Sequence, residues 1–353
     1  MADMFRIGVS ADFKVFAPEA LEPILAGLRA LPYVEQGFFQ GAGSLDVTPD
    51  QIRDYDGLIS LRPRFTAASF VGADRPVVIS RWGVGYDTID VPACTEAGVL
   101  LTITPDAIRR PVAETIVTLL LAAAKGLRAR DRVVRTGRWD LKGETPSVGL
   151  KGKTLGSVGL GSIGADMFRL LKPFEFGRLL AADPYASPEK ATQLGVQLVD
   201  VRTLFRESDF IAINCLLSSD TRGMVNAELL ALMKPTAFLI NTARGAIVDE
   251  GALVTALRER RIAGAALDVF SQEPLPGDHP LTQLDNVTLS PHNMAWSDNL
   301  YRDQGQAVCD NVLAVLRGEV PSYVVNRDLV QRPSFQAKLA SLRERWLRLV
   351  GQA

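Results

Sequence analysis

An excess of charge of either sign is missing from this chain. Its 353 residues carry 39 Lys and Arg against 40 Asp and Glu, which gives a formal net charge of −1, and both signs are mixed along the length. Proteins that bind nucleic acid or anionic membrane surfaces use a basic field for that purpose. The sequence therefore predicts neither kind of partner and favours a small molecule instead.

Long hydrophobic runs and disulfide patterns are missing as well. No stretch reaches the roughly 18 uncharged apolar residues of a membrane span, and residues 1–10 enter a strand-like pattern without the apolar core of a signal peptide. Cys94, Cys215 and Cys309 are odd in number and widely spaced, which indicates free structural thiols in a reducing compartment. These absences together favour a cytoplasmic location.

The chain does contain a regular alternation of strand-like and helical segments. Its length exceeds that of one ordinary core, so two compact units are expected. The predicted strands are 5–10, 57–61, 77–80 and 99–102 in the first part, and 154–160, 179–182, 210–215, 237–242, 265–270 and 287–290 in the second. Strands that alternate with helices are typical of α/β proteins with parallel sheets, and the second set describes a doubly wound Rossmann sheet that binds a nucleotide.

Several helices are predicted between and after these strands. One long helix is expected over residues 110–136, and others over 18–30, 162–172, 249–260 and 299–317. The tail of residues 332–353 has apolar side chains at helical spacing and is interpreted as an amphipathic helix. We expect it to pack on this protein or on a second copy, with docking to a foreign partner as the alternative.

A glycine pattern follows the first strand of the second set. Gly159, Gly161 and Gly164 form G-x-G-x-x-G between a predicted strand and a predicted helix, the context that makes this pattern specific for dinucleotides. Asp183 follows Gly164 by 19 residues, where a carboxylate binds ribose hydroxyls and would repel the 2′-phosphate of NADP. NAD is therefore the predicted cofactor. A second G-x-G, at residues 83–85, lacks the third glycine.

Ionisable residues follow three of the predicted strands at their carboxyl ends, where open α/β sheets bind ligands. His292 follows the strand 287–290, whereas the other histidine, His279, lies in a Pro- and Gly-containing loop. Arg244 can bind a carboxylate with two parallel hydrogen bonds, and Glu273 beside an imidazole would favour the imidazolium. Taken singly, Arg244 and Glu273 could each be an ordinary surface charge.

Six ordered stretches resemble the motifs of the D-isomer-specific 2-hydroxyacid dehydrogenase family, which includes phosphoglycerate, glycerate and hydroxypyruvate enzymes. They are GVGYDTID at 83–90, VAE at 112–114, the glycine loop at 159–164, NTARG at 241–245, LDVFSQEP at 267–274 and SPH at 290–292. The resemblance runs from about residue 55 to 325. It implies an NAD-binding Rossmann domain at 105–296, inserted in a flavodoxin-like substrate domain of residues 1–104 and 297–330, with a helical tail at 331–353 and the active site in the cleft between the domains.

The resemblance also implies residue roles. Arg244, Glu273 and His292 would be catalytic, with His292 as general acid and base, Glu273 keeping it charged, and Arg244 binding the carboxylate of a 2-oxo acid together with the backbone of Val84 and Gly85. The implied cofactor-binding residues, besides the three glycines, are Ser162 and Ile163 at the pyrophosphate, Asp183 at the ribose, Cys215 on the adenosine side, and Thr242, Ala243, Arg244 and Asp268 at the nicotinamide half. No metal is expected.

Alternatives and departures from the family pattern remain open from the sequence alone. A phosphite or formate dehydrogenase on the same scaffold is one alternative, although related formate dehydrogenases carry an amide where Glu273 stands. An NAD(H)-sensing binding protein of corepressor type is the other. Residues 110–140 resemble the dimer arm of the family, which implies a homodimer, and the bulky residues 293–296 imply a bulkier pocket roof.

Arginines near the implied cleft mark another departure from the family. Arg109 and Arg110 precede the VAE motif, and Arg62 and Arg64 lie on the opposite wall. They suggest a substrate with a second anionic group, or else are solvated or bridge subunits.

Overall fold

The computed structural model describes residues 4–39, 45–144 and 147–351. The strands are β1 Phe5–Ser10, β2 Val34–Phe39, β3 Gly57–Ser60, β4 Val78–Arg81, β5 Leu100–Thr102, β6 Thr154–Val158, β7 Arg178–Ala182, β8 Gln197–Leu198, β9 Phe210–Ile213, β10 Phe238–Asn241, β11 Gly264–Leu267 and β12 Val287–Leu289. The helices are α1 Phe13–Phe16, α2 Pro18–Arg29, α3 Pro49–Ile52, α4 Val91–Glu96, α5 Pro105–Lys125, α6 Leu127–Arg135, α7 Ser162–Leu171, α8 Pro188–Leu194, α9 Val201–Glu207, α10 Ala227–Leu232, α11 Glu250–Arg258, α12 Pro280–Gln283, α13 Asp298–Leu316, α14 Arg327–Val330 and α15 Pro333–Val350. Short 3-10 helices cover Ala67–Phe70, Trp139–Leu141, Lys172–Phe174 and Gly245–Ile247.

Two compact units make up the chain. The terminal unit comprises Met1–Ile108 and Ser297–Ala353, and the central unit comprises Arg109–Trp296. The central unit thus begins four residues later than the expected 105, because the first turn of α5 is held in the terminal unit, where the Tyr323 hydroxyl lies 2.5 Å from the Asp106 carboxylate. The tail, expected as a separate segment, belongs to the terminal unit.

The sheet of the terminal unit is parallel throughout, with strand order β2-β1-β3-β4-β5. This is the flavodoxin-like order of doubly wound sheets. The four strands predicted for this part are confirmed to within one residue at each end. Strand β2, Val34–Phe39, was not predicted because its sequence VEQGFF shows no regular apolar alternation and it lies at the sheet edge.

The sheet of the central unit is also parallel throughout, with order β12-β11-β10-β9-β6-β7-β8. From β8 to β11 this is the Rossmann order 3-2-1-4-5-6, with β12 added beside β11. Alternate residues pack into two separate cores, so that Leu239 lies in one and Ile240 in the other. The six predicted strands are present but most end one to three residues earlier, and β8 was missed because it is only two residues long.

Parallel strand direction places the carboxyl ends of β6, β7, β9, β10, β11 and β12 along one edge of the central sheet. The glycine loop and the segments that follow β7, β10, β11 and β12 therefore share this edge. The residues selected from the sequence for the cofactor and for catalysis lie at this edge, apart from the substrate loop at 84–85 in the terminal unit.

The prediction of one long helix over 110–136 is wrong. Helix α5 starts earlier, at Pro105, and ends at Lys125, and α6 begins after Gly126, whose φ of 58° and ψ of 39° are left-handed. Glycine adopts this conformation without a Cβ penalty, so the chain turns there. Helix α5 buries Ile116, Leu119 and Leu120, whereas α6 buries no residue within its own unit.

Helix α15 confirms the predicted amphipathic tail and packs on its own unit. Leu339 and Leu342 are buried, and the Trp346 ring contacts those of Phe5 and Tyr33 at centroid distances of 6.0 and 4.6 Å. No helix within the described part of the chain has the length and apolar character needed to span a membrane.

Candidate active site

The glycine loop has a geometry that only glycine permits at two positions. Gly159 has a φ of 96°, and a Cβ on it would lie 2.8 Å from the carbonyl oxygen of Asn214 and 2.9 Å from the nitrogen of Cys215. A Cβ on Gly164 would lie 2.9 Å from the carbonyl oxygen of Gly159. The turn after β6 is therefore pressed against the segment that follows β9, and helix α7 lies close to the turn.

The amino end of α7 fits a pyrophosphate. A Cβ added to its N-cap residue, Gly161, would meet no atom within 4 Å, and no side chain caps the helix. The first N–H groups of a helix, which begin here with Ser162 and Ile163, are donors without an intrahelical partner and carry the positive end of the helix dipole. Open space above such donors is what a bound phosphate requires.

Two charged side chains hold the loop from the side of β7. The Asp183 carboxylate accepts hydrogen bonds from the N–H groups of Leu160, at 2.7 Å, and Tyr185, at 2.8 Å. Lys190 was not selected from the sequence, yet its Nζ donates to the carbonyl oxygens of Leu160 and Gly161 at 2.9 and 3.2 Å. Asp183 thus lies beside the loop, as the ribose position requires.

The loop after β10 is shaped by a buried asparagine. Asn241 donates from Nδ2 to the Arg244 carbonyl at 2.9 Å and accepts the Ala243 N–H at 3.0 Å. The Arg244 guanidinium donates to the Ala243 carbonyl at 2.8 Å. At Gly245, a Cβ would lie 1.9 Å from the Phe270 carbonyl carbon, so only glycine fits there. The segments after β10 and β11 are thereby packed backbone to backbone.

His292 and Glu273 are brought together at the carboxyl edge. Nδ1 of His292 lies 2.7 Å from Oε2 of Glu273, and Oε1 of Glu273 accepts the Phe270 N–H at 3.0 Å. A carboxylate only accepts, so Nδ1 carries the proton and Nε2 is the nitrogen available for proton exchange. His292 itself has a φ of 56°, a left-handed conformation that is uncommon outside glycine.

A buried carboxylate shapes the turn that carries His292. Asp268 is only 4% exposed, lies 2.6 Å from the Ser290 hydroxyl, and accepts the N–H groups of Asn293 and Met294. These bonds hold the chain on both sides of His292 and account for its unusual backbone. Burial raises the pKa of Asp268, although these hydrogen bonds and the charge of His292 act in the other direction.

The pKa of Glu273 shifts the opposite way. Burial by itself would raise it, but the hydrogen bond and charge of His292, the Phe270 N–H and the charge of Arg244 together hold the pKa below its usual value. Glu273 is therefore a carboxylate at neutral pH, and the positive charges of Arg244 and His292 both stabilise its charged form. Arg244, Glu273 and His292 thus form one electrostatic group within the central unit.

Thr242 and Cys215 are two further residues that the sequence assigned to the cofactor site. Thr242 is half-buried directly after β10. Cys215 packs against the glycine loop, and burial raises the pKa of its thiol to about 11, so it is a protonated, structural cysteine. Cys94 and Cys309 are likewise free and buried, as expected. Among the described residues, no group of three potential ligands could hold a metal ion.

The substrate loop at Val84 and Gly85 belongs to the terminal unit. Gly83 precedes it with a φ of 126°, donates to Thr104 Oγ1 at 3.0 Å and accepts the Thr104 N–H at 3.0 Å. Among the described residues, neither the Val84 N–H nor the Gly85 N–H donates to a backbone carbonyl. The loop is thus fixed at its start by two hydrogen bonds between Gly83 and Thr104.

The arginines proposed to suit a second anionic group have partners of their own. Arg109 pairs with Asp166 at 3.4 Å, Arg110 with Glu114 at 2.6 Å, and Arg64 with Asp46 at 3.2 Å. The Arg62 guanidinium lies 4.0 Å from the centre of the Phe16 ring. These contacts favour the alternative interpretation, in which the arginines are structural or solvated.

Comparison with known proteins places this geometry in a family. Residues 117–294 match the family model described as D-isomer specific 2-hydroxyacid dehydrogenase, NAD binding domain. A glyoxylate reductase of Thermofilum pendens is 41% identical over 82% of this chain and 86% of its own length. A D-3-phosphoglycerate dehydrogenase of Methanocaldococcus jannaschii is 40% identical over 78% of this chain and 53% of its own length.

A solved structure shows the same likeness. The NADPH-dependent glyoxylate/hydroxypyruvate reductase of Sinorhizobium meliloti, in complex with NADP and malonate, superposes with a TM-score of 0.78 and 30% identity, over 91% of this chain and 96% of that one. The chain belongs to the D-isomer-specific 2-hydroxyacid dehydrogenase family. It is accordingly an NAD-dependent oxidoreductase that acts on CH–OH donors, built on a Rossmann domain.

Proposed function

We propose that this enzyme reduces a small 2-oxo acid such as glyoxylate, and in the reverse direction oxidises a D-2-hydroxy acid. The observation that carries the proposal is the 2.7 Å contact of His292 with Glu273 at the carboxyl edge of the central sheet. Relatives named glyoxylate reductase, with identities of 41% and 38%, support the substrate class. The terminal unit is assigned as the substrate domain and the central unit as the NAD domain.

Each side chain has a defined task in this reaction. The nicotinamide supplies or accepts the hydride when bound. His292 gives a proton from Nε2 to the carbonyl oxygen and takes it back in the reverse direction. Glu273 stabilises the imidazolium, and Arg244 binds the substrate carboxylate with two parallel hydrogen bonds. The Val84 and Gly85 N–H groups bind the same carboxylate.

The cofactor residues follow from the glycine loop. Gly159, Gly161 and Gly164 allow the pyrophosphate to approach, and the N–H groups of Ser162 and Ile163 would bind it. Asp183 would bind the adenosine ribose and Cys215 would contact the adenosine side. Thr242, Ala243 and Asp268 would line the nicotinamide half.

Turnover with a panel of acids tests the reaction. We expect NADH oxidation with glyoxylate, hydroxypyruvate or pyruvate, and a loss of at least about a hundredfold in kcat for His292→Asn, since a general acid contributes about 10² to 10⁴. Asparagine tolerates the left-handed conformation of His292, so the fold should be retained. NAD reduction with formate or phosphite alone, or NADH binding without any turnover, would contradict the proposal and favour the scaffold-sharing dehydrogenases or a sensor.

Cofactor preference is a separate proposal. The Asp183 carboxylate at the end of β7 would repel the 2′-phosphate of NADPH, so kcat/KM should favour NADH. Asp183→Asn keeps an acceptor for the Leu160 N–H and removes the charge, so we expect the NADH preference to narrow. An unchanged ratio of the two kcat/KM values in this variant would contradict a role for Asp183 in the preference.

We also propose a homodimer through residues 127–141. Leu127, Val134 and Trp139 are 60%, 56% and 62% exposed, and helix α6 buries nothing in its own unit. Exposed apolar side chains grouped with an aromatic ring are typical of interfaces. Light scattering should give twice the chain mass of 38.3 kDa. Val134→Asp should shift the protein toward monomer, whereas Val71→Asp, at a comparably exposed valine of the terminal unit, should not.

A further inference from the structure

A second carboxylate–imidazole pair lies next to the loop that carries Glu273. Nε2 of His279 is 3.3 Å from Oε1 of Glu250, and both side chains are largely buried, at 23% and 17% exposure. His279 lies in the Pro- and Gly-containing loop that follows Glu273 in the sequence. Its burial against Glu250, the first residue of α11, shows that the 276–280 segment folds back onto the central unit.

The pair is connected to the backbone beside Glu273. Oε2 of Glu250 accepts the N–H of Ser271 at 3.1 Å, and the preceding residue, Phe270, donates its N–H to Glu273 at 3.0 Å. Adjacent peptide groups of one loop thus donate to two different carboxylates, one of which holds His292. Any shift of the Ser271 peptide is passed directly to the Phe270 peptide and to Glu273.

A hydrogen bond at His279 fixes its tautomer. Nδ1 accepts the Leu281 N–H at 3.2 Å at the start of α12, so the proton resides on Nε2, the nitrogen that lies 3.3 Å from Oε1 of Glu250. Both oxygens of Glu250 are therefore in use, because Oε2 accepts the Ser271 N–H and Oε1 faces the imidazole of His279. An amide in place of Glu250 has one acceptor and one donor, so it could not keep the bond to Ser271 and also face Nε2–H of His279 with an acceptor.

We infer that Glu250 and His279 are positioning residues for catalysis, which hold the 270–273 loop so that Glu273 meets Nδ1 of His292. This inference rests on the proposed roles of Glu273 and His292. The backbone of Gly245 supports the same loop from the Arg244 side, against Phe270. Among the described residues of its unit, Glu273 and Asp268 are charged groups that act on His292, and Arg244 acts on Glu273.

Kinetics of the full-length protein test the inference. Glu250→Gln should lower kcat for glyoxylate by on the order of tenfold, since a 1 Å displacement in an active site costs up to about a hundredfold. The alkaline limb of the pH profile should move to lower pH, because a displaced Glu273 stabilises the imidazolium less. NADH affinity should stay unchanged. His279→Asn keeps an acceptor for the Leu281 N–H and should act in the same direction.

A matched control and a readout without turnover complete the test. Glu207 pairs with Arg178 at 2.6 Å, at the amino end of β7 and so opposite the site, and Glu207→Gln should change neither kcat nor the pH profile. The chain has only two histidines, so NMR can follow the His292 imidazole directly. In Glu250→Gln the His292 ring signals should shift from their wild-type positions, and in Glu207→Gln they should not.

A lower melting temperature with an unchanged kcat, an unchanged alkaline limb of the pH profile and unchanged His292 ring signals would make the pair purely structural and overturn the inference. If the wild-type protein reduces no 2-oxo acid, or does so equally well in His292→Asn, the proposed function fails. In that case the NMR signals of the His292 ring still decide whether Glu250 positions the Glu273–His292 contact.

Discussion

At the scale of single residues, two carboxyl groups beside one imidazole have pKa values shifted in opposite directions. Asp268 is deeply buried and its pKa is raised, whereas Glu273 meets His292 and Arg244 and its pKa is lowered. Both contact the chain around His292, but only Glu273 bonds to the ring. Asp268 therefore fixes the backbone turn, and Glu273 stabilises the positive charge of the imidazolium.

The pH dependence of stability in Glu273→Gln tests the contribution of the Glu273 charge to the free energy of unfolding. A carboxyl group with a lowered folded-state pKa stabilises the protein above its unfolded pKa of about 4.3, and this stabilisation is lost as the pH falls through the folded value. The variant should therefore unfold at a lower denaturant concentration than wild type at pH 7, and the difference should shrink as the pH falls below about 4. Urea titrations at pH 7 and at a series of pH values below about 4 measure this. A difference that is independent of pH would exclude a charge effect.

Gly245→Ala tests the backbone contact between the Arg244 and Glu273 segments. The added Cβ would meet the Phe270 carbonyl group at 1.9 and 2.2 Å, so both segments must move, and overpacking of this kind costs about 3 kcal/mol. We expect lost activity together with lower stability in thermal unfolding. Gly251→Ala, in α11 with its nearest atom at 3.5 Å, is the control and should gain about 0.5 kcal/mol. Equal behaviour of the two variants would contradict the packing argument.

At the scale of secondary structure elements, the break between α5 and α6 determines where the side chains of α6 lie. Helix α5 contributes to the core of the central unit, and α6 turns away after Gly126. An unbroken helix would continue the α5 axis and carry Leu127 and Val134 to other positions. The proposed dimer surface therefore depends on one left-handed residue.

Substitutions at Gly126 test this dependence. An alanine in the left-handed region costs about 1 to 2 kcal/mol, whereas asparagine tolerates the region better. Gly126→Ala should therefore lower the free energy of unfolding and weaken the dimer, and Gly126→Asn should do both to a smaller extent. Thermal unfolding and light scattering provide the two measurements. The opposite ranking of the variants would show that the left-handed turn is not what places α6.

At the scale of the whole molecule, the cofactor site and the tail helix belong to different units. Arg345 in α15 donates to the buried Asp56 at 2.7 Å and to the Met4 carbonyl at 2.7 Å, and its guanidinium lies over the Phe5 ring. The Asp56 carboxylate also accepts hydrogen bonds from the Arg75 guanidinium and from the Arg6 N–H, so these two partners remain if Arg345 is lost. The tail thus ties the end of the chain to its first strand.

Arg345→Met should destabilise the protein by about 2 kcal/mol, as expected for the loss of a hydrogen bond between charged groups. NADH at about a hundred times its Kd should stabilise by about 2.7 kcal/mol. Because Arg345 lies outside the central unit, the NADH-induced shift of the melting temperature should be equal in wild type and variant. Calorimetry with and without NADH checks this, and a variant that loses the shift would contradict the assignment of the cofactor to the central unit.

Much of this molecule could be predicted from local sequence patterns. The strand alternation, the glycine loop with Asp183, and the positions of Arg244, Glu273 and His292 after predicted strands depend on residues close together in the chain, where periodicity and turn chemistry act directly. Membership of the family followed from the order of such motifs. These features needed no knowledge of which strands are neighbours.

Only the tertiary structure decided which distant segments meet. The contact of Gly245 with Phe270, the chain from His279 through Glu250 to Ser271, and the partners of Arg64, Arg109 and Arg110 depend on strand order, register and close packing. The turn at Gly126 depends on the choice of one backbone conformation among several that glycine allows. Local periodicity carries no information about such contacts, because they join residues whose separation in sequence has no relation to their distance in space.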